Sequence, residues 1–429
     1  MVFSITLIGA LIIFCLTIGV PIGISIGAAT AVTMYFTCKI PLISITQNAF
    51  TALDTFPLLA VPLFILSGNL MSYGGISRRL VKLADSIVGA VSGGLAMVTV
   101  VACMFFSAIS GSAVATVSGI GGFMIPEMIK KKYDGSFAAA LTAAAGSLGV
   151  IIPPSISFVV YGVITGASIG KLFIAGIIPG ILLGLGLIAG AYTISKRENY
   201  PKGEGYRSFR DFFASLKDSF AAVMVPVIIL GGIYGGVFTP TEAAGVSVVY
   251  SLLIGIFVYK ELDRQKLVDA FLDTILVNGA VTFMIGLSMS FARFLTTSGI
   301  PQYITAQLLS FTESTVLTLL LINILFLVVG CFIDNLSAAI ILIPILMPII
   351  DNYGVDLIHF GVISTVALAI GFITPPYGPN LFVASAISGM PIEKITRKVW
   401  VFCGILTAIL MLITYVPAIS LGLVDLVYN

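Results

Sequence analysis

The chain has 429 residues, of which 59% are hydrophobic and 9% charged, with a mean hydropathy of +1.14 and a formal net charge of +2. Soluble domains carry about 25% charged residues, so no aqueous fold could hide this much apolar surface. The expected fold is an all-α membrane protein with the lipid bilayer as its solvent; nucleic acid is not an expected partner.

The N-terminus has no basic region, and its apolar run continues past signal-peptide length, so the first segment is expected to be retained. Cys15, Cys38, Cys103, Cys331 and Cys403 are scattered and lack any CxxC spacing. They support neither a disulfide framework nor a zinc site. His359 has no second imidazole to partner it.

A spanning helix needs about 20 apolar residues. Ten stretches are read as spans: 3–19, 21–37, 56–73, 136–168, 172–194, 219–238, 243–259, 275–296, 358–389 and 400–422. Two further apolar stretches, 92–128 and 316–349, are read as re-entrant hairpins. The charged, amphipathic connectors Ser77 to Asp85 and Glu261 to Asp273 are expected to lie along the membrane surface.

Eighteen of the 21 Lys and Arg residues fall in five groups, around 78–82, 130–132, 196–217, 260–266 and 394–398. One threading puts all five groups in the cytoplasm, as the positive-inside rule requires. It needs the hairpin at 92–128 to leave and re-enter on one side and the hairpin at 316–349 to do so on the other, and it places both termini outside. Each half then has five crossings and one hairpin, so the second half is inverted relative to the first. Self-similarity agrees. Ile151-Ile152-Pro153-Pro154 matches Ile373-Thr374-Pro375-Pro376, and Met124-Ile125-Pro126 matches Leu346-Met347-Pro348, both at an offset of 222. Gly75-Ile76 matches Gly299-Ile300 at 224. The expected domains are an inverted repeat over 1–210, with its broken helix at 136–168, and a second over 211–429, with its broken helix at 358–389. Inverted repeats characterise alternating-access transporters, whose sites lie near mid-membrane at interrupted helices.

Four polar breaks interrupt the apolar stretches: Ser110-Gly111-Ser112, Pro153-Pro154-Ser155, Asp334-Asn335-Leu336-Ser337 and Pro375-Pro376-Tyr377-Gly378-Pro379-Asn380. Proline removes a backbone donor and frees carbonyls. In a bilayer, non-helical backbone survives only when buried in protein or lining a wet cavity. Carbonyls and tip hydroxyls form a hard-oxygen cage suited to sodium, and half-helix N-termini favour an anionic substrate. Hairpin tip and broken helix pair within each half, giving two pseudo-symmetric ion sites. Asp334 is the one carboxylate near a hairpin tip, and intramembrane acids are costly unless they function. Arg293 is read as snorkelling to the outer interface. Gly176, Gly180 and Gly184 form a helix-packing stripe. Glu127 and Asp134 are read as solvated. Neither HExxH nor GxSxG occurs, and Gly166 to Lys171 falls one residue short of a P-loop. No enzyme or ATP site is therefore expected, which leaves an ion gradient to drive transport.

Pro62-Leu63-Phe64-Ile65-Leu66-Ser67-Gly68-Asn69-Leu70-Met71, Phe106 to Ser112, Gly146 to Ser155 and Gly371 to Pro376 together resemble the large membrane subunit of TRAP (tripartite ATP-independent periplasmic) transporters. The resemblance covers essentially the whole chain. It implies an elevator-type importer of an organic acid, such as a C4-dicarboxylate, a 2-oxo acid or sialic acid, driven by two or more sodium ions. It also implies a bacterial inner-membrane location, a periplasmic substrate-binding protein, and a small membrane subunit as a separate chain. On the family pattern, one sodium site uses Ser110, Ser112 and backbone from Gly146 through Gly149 to Pro153. The other uses Asp334, Asn335 and Ser337 with backbone from Gly371 through Thr374 to Pro375. Substrate carboxylate would meet Ser112, Ser155 or Ser157, with Asp334 and Asn380 in the same substrate-facing set. Phe332-Ile333-Asp334 stands where the first half has Ser110-Gly111-Ser112, so the two sites differ chemically. The alternative is a stand-alone sodium/carboxylate symporter of the same architecture, which would need no binding protein. An ion channel would differ in conductance, and an intramembrane enzyme would need catalytic pairs that do not appear.

The threading predicts that single cysteines at Thr315 and Ser208 react with an impermeant thiol reagent from opposite faces of sealed vesicles. Labelling of both from one face would refute it.

Overall fold

The computed structural model describes residues 2–37, 41–202, 209–312 and 314–428. Cys38, Arg207 and Ser208 lie outside the described residues. The described chain is helical throughout, apart from turns and one isolated bridge between Ser92 and Lys202.

Helices α1 (Val2–Thr17) and α2 (Ile22–Thr37) form an apolar pair, followed by the short α3 (Ile43–Leu53). A 3-10 turn at Phe56–Leu59 leads into α4 (Ala60–Tyr73), and Gly75 at φ +77° turns the chain into the amphipathic α5 (Ile76–Val88). The first hairpin is α6 (Gly94–Ser110) against α7 (Ala113–Lys130). The first broken helix is α8 (Gly135–Gly146) with a 3-10 turn through Val150, then α9 (Ile156–Thr165), and the long α10 (Ile169–Arg197) closes this half. The second half opens with α11 (Phe209–Tyr234) and α12 (Pro240–Leu253), the latter extended by a π turn at Ile254–Val258. Then come α13 (Arg264–Thr297), α14 (Ile300–Phe311), and the hairpin arms α15 (Thr315–Gly330) and α16 (Asn335–Asn352). The second broken helix is α17 (Leu357–Gly371) and α18 (Pro379–Ser388), followed by α19 (Ile392–Tyr415) and α20 (Ala418–Tyr428). From α5 to α10 and from α14 to α19 the same succession recurs, with helix starts 221 to 224 residues apart.

Among the described residues, seven helices are long and apolar enough to cross a bilayer, including α10, α13, α19 and, at 18 residues, the hairpin arm α16. Three expectations change. Residues 43–53, left without an element, form α3, an amphipathic helix with no buried residue. The surface connector expected over 261–273 is from Arg264 onward the first turns of α13, which runs unbroken for 34 residues. At about 1.5 Å per residue that helix outruns a hydrocarbon core of about 30 Å, so its charged start can project beyond the core. The last span, expected at 400–422, begins at Ile392 and stops at Tyr415, because Pro417 cannot continue the helix. There His359 Nδ1 pairs with Ser420 Oγ (2.6 Å) and Nε2 with the Thr414 carbonyl (3.2 Å), tying α20 to α17.

Two helical bodies result. The inner body holds both hairpins and both broken helices, flanked by α10 and α19. Its halves interlock: α18 packs on α7 and α8, and α9 packs on α16. The outer body gathers α2, α3 and α4 around α13, with α11 and α12 beside α4 and α5. Arg79 on α5 anchors that side: its Nη1 donates to Glu261 Oε1 (2.7 Å) and to the Gly75 carbonyl (3.0 Å), and its guanidinium lies 3.8 Å from the Tyr259 ring centre.

Close backbone approach is required at the inner body's core. A methyl on Gly371 would sit 2.6 Å from Gly330 backbone atoms, whereas one on Gly404 would meet nothing within 4 Å. Gly371→Ala is therefore expected to destabilise the protein by about 1–3 kcal/mol through overpacking. Gly404→Ala should not, and thermal unfolding of both variants in detergent checks the difference.

Candidate functional site

The breaks are built from ordinary capping chemistry. Ser112, extended at φ −135°, accepts from Ala115 N and starts α7. Ser155 accepts from Phe158 N (3.4 Å) and donates to the Val150 carbonyl (2.6 Å), bridging the gap between α8 and α9. Asp334 accepts from Ser337 N (3.0 Å) and from the Ser337 hydroxyl, starting α16. The Pro153–Pro154 and Pro375–Pro376 bonds are both cis.

Each hairpin tip is tied to the break of its own half. Ile156 N donates to the Gly111 carbonyl (3.3 Å), and Tyr377 N donates to the Cys331 carbonyl (3.0 Å). Gly149 and Gly371, 222 residues apart, both press on a hairpin: a methyl on Gly149 would lie 2.4 Å from the Ser112 carbonyl oxygen. Beside that glycine, Ser110 Oγ and Thr116 Oγ1 are 3.0 Å apart, and Thr116 Oγ1 donates to the Ser112 carbonyl (2.8 Å). Uncharged hydroxyl and carbonyl oxygens thus cluster at the first tip. Gly146 meets α7 through Val117, and Pro153 lies in the buried break.

The second set is arranged differently. Ser337 is occupied by Asp334 and by Met284 Sδ of α13 (2.5 Å). Thr374 donates back to the Ile370 carbonyl (2.7 Å). Asn335, 2% exposed, donates to Ser157 Oγ (2.9 Å), while its Oδ1 is buried with no hydrogen-bond partner. Asn380 donates to the Ala143 carbonyl (3.0 Å), and its Oδ1 is likewise unpartnered. Buried acceptors rarely go unpaired, so these carbonyl oxygens fit a hard cation or water. Among the described residues, no group of three His, Cys, Asp or Glu side chains could hold a metal ion.

Between the two bodies lies a cavity of about 510 Å³. Ser110, Ser112, Ser118, Ser157 and Asn335 line it from the inner body; Asn69 of α4 and Asp273 of α13 line it from the outer one. Its other walls are apolar, including Val114, Leu276, Val277 and Phe372. Of the residues expected at the site, Ser112 and Ser157 share this cavity with Ser110 and Asn335. Ser155, Asp334, Ser337, Thr374, Pro375 and Asn380 do not line it: Ser155 and Asp334 cap helices, and Asn380 points its amide to α8. The sequence pattern does not mark Thr116, Ser118, Asn69 or Asp273. Thr116 could have been found four residues beyond Ser112, on the same helical face; Asp273 is hidden in the supposed connector.

The remaining motifs are structural. Arg293 sits outside this cavity, exposed beside Ser44, Asn48 and Thr297 in a smaller pocket between α3 and α13. Gly176, Gly180 and Gly184 let α10 close on Phe158, Ile152 and Met104, so the stripe cradles the first break. Asp134 caps α8 through Ser136 N (2.7 Å), and Glu127 lies 4.0 Å from Lys130.

A helical chain with long apolar helices and two interrupted hairpins is a multi-pass membrane protein. Its fold is similar to that of the YdaH transporter of Alcanivorax borkumensis, which superposes with a TM-score of 0.60 at 16% identity, over 88% of each chain. MtrF of Neisseria gonorrhoeae does so at 0.60 and 13% identity, over 97% of this chain and 96% of that one. Residues 9–419 match the family model of the tripartite ATP-independent periplasmic transporter, DctM component, and the chain belongs to that family. It is 41% identical to the C4-dicarboxylate TRAP transporter large permease protein of Pseudomonas aeruginosa, over 93% of each. It is 38% identical to the sialic acid TRAP transporter large permease protein of Vibrio cholerae, over 95% of each. To the isethionate TRAP transporter permease protein DctMQ of Oleidesulfovibrio alaskensis it is 45% identical over 95% of its own length, and it spans 64% of that longer protein.

Capping by Asp334 predicts that Asp334→Ala costs about 0.5–2 kcal/mol of stability. Asp334→Asn, an equally good cap, should cost less than half of that. Thermal unfolding of the two variants checks this, and equal losses would remove the capping role.

Proposed function

We propose that this chain is the large membrane subunit of a sodium-driven TRAP importer of an organic acid, working by an elevator motion in a bacterial inner membrane. A periplasmic binding protein delivers the acid, and a small membrane subunit, as a separate chain, completes the complex. The observation that carries the reading is the cavity in which hairpin-tip and broken-helix hydroxyls, Ser112 and Ser157, face the outer-body helices α4 and α13. Such a place suits a substrate that rides on one body and slides past another. Half-helix N-termini at Ser112 and Ser155 offer an anion partial positive charge without a fixed cation. The oxygen cluster of Ser110, Thr116 and the Ser112 carbonyl, and the unpartnered Asn335 Oδ1, are suited to sodium. When bound, sodium would neutralise the acid's charge; the chain's part is to hold both beside the cavity and keep lipid away from them. Relatives named for isethionate, C4-dicarboxylates and sialic acid bound the substrate to organic anions.

The test is uptake of radiolabelled isethionate, succinate, pyruvate and N-acetylneuraminate into liposomes holding the complex, with binding protein outside. At least one acid is expected to enter only with inward-directed sodium, at more than one sodium per acid by reversal potential. Entry driven by protons without sodium would overturn the coupling, and equal entry without the binding protein would favour a stand-alone symporter. In the same assay Asp334→Ala is expected to abolish uptake, and Asp334→Asn to raise the sodium concentration for half-maximal uptake. An unchanged sodium requirement in Asn would confine Asp334 to hydrogen bonding.

A further inference from the structure

Among the described residues that line the cavity, Asp273 is the only one with an acidic or basic side chain. It belongs to α13, and its Oδ2 accepts a hydrogen bond from Tyr73 OH of α4 (2.6 Å). No ion pair neutralises it among the described residues. On α5 and α13, Arg79 pairs with Asp218 and Glu261, Lys82 with Asp218, and Lys266 donates to the Glu261 carbonyl. One helical turn before it stands a second acid, Asp269, which receives Gln265 Nε2 (3.0 Å). The outer-body wall therefore presents negative charge, while the inner-body wall presents only neutral groups: Ser110, Ser112, Ser118, Ser157 and Asn335.

We infer that Asp273, held in place by Tyr73, is a release residue that disfavours an organic anion in this conformation. The inference rests on the elevator reading above. A ligand can shift a two-state equilibrium only through a difference in affinity between the states. The hydroxyls that would hold the acid lie on the inner body and travel with it; Asp273 lies on the outer body. A bound acid faces the carboxylate here and leaves it behind when the inner body moves. Negative charge on a fixed wall thus weakens binding in one state without weakening capture in the other. Tyr73 keeps the carboxylate from swinging out of the wall, and the opposing groups need no change of their own.

Charge-selective thiol chemistry tests this whichever acid is the substrate. Val277 lines the cavity one turn after Asp273. In a cysteine-free background carrying Val277→Cys, the assembled complex is treated with sulfonate-bearing and with trimethylammonium-bearing methanethiosulfonates. Asp273→Asn should raise the ratio of anionic to cationic reaction rates about tenfold, equivalent to about 1.4 kcal/mol. Asn still accepts from Tyr73, so a merely structural Asp273 would leave the ratio unchanged, and that result overturns the inference. Tyr73→Phe removes the hydrogen bond and keeps the charge, so its ratio should move less than twofold; a tenfold change there would also overturn it. For whichever acid the liposome panel identifies, Asp273→Asn should lower KM and kcat together, as expected when release slows. Should none of the acids be carried, the transport reading fails while the thiol ratio still decides the field at Asp273.

Discussion

Everything in the inner body follows from the cost of an unpaired backbone group in a place water does not reach. Two helices and two hairpins are interrupted in the middle of apolar stretches, and each interruption strands N–H and C=O groups. The chain resolves this by pairing interruptions with each other. The Gly111 carbonyl takes Ile156 N, and the Cys331 carbonyl takes Tyr377 N. Serine and aspartate caps at 112, 155 and 334 absorb the first-turn donors of the resumed helices. Close packing then becomes obligatory, which is why glycines stand at 149 and 371 and why a three-glycine stripe on α10 holds the first break from behind.

The same pairing leaves a remainder. After the caps and cross-pairs are formed, Asn335 Oδ1 at the second tip and Asn380 Oδ1 in the second break still have no hydrogen-bond partner. The first tip keeps hydroxyls and a carbonyl in a tight cluster; the second engages its aspartate and serine with each other and keeps an asparagine oxygen instead. Matching helix starts thus carry unlike chemistry. The residue that would be a hydroxyl on one side is a carboxylate on the other, and the cavity between them draws its polar lining mostly from the first half plus Asn335.

Much of this was legible in the sequence, and for a physical reason. A polar or proline break inside 30 or so apolar residues cannot be accidental in lipid, so Ser110 to Ser112, Pro153-Pro154, Asp334 to Ser337 and Pro375-Pro376 located both hairpins and both broken helices. What stayed hidden depended on long-range geometry. The bond between Asn335 and Ser157 joins residues 178 apart, and no local pattern announces it. Ser155 read as a ligand because a hydroxyl at a break looks the same whether it faces a cavity or its own backbone. Asp269 and Asp273 read as a surface connector because charges usually end a span; only the unbroken length of α13 carries Asp273 to the cavity wall. Residues 43–53 mix Ser44, Thr46, Gln47 and Asn48 with apolar neighbours, a pattern too short and too polar to count as a crossing.

The stitches between halves bear on how such a chain is made. Ser157 is synthesised long before Asn335, and the Ala143 carbonyl long before Asn380. From the end of α10 until α16 and α18 are made, the first half lacks the helices that cover α7, α8 and α9 in the finished protein. The first half alone therefore carries a seam that only the second half closes. Severing the gene between the halves would yield two fragments that each expose a seam, so the order of synthesis becomes a constraint on the order of assembly.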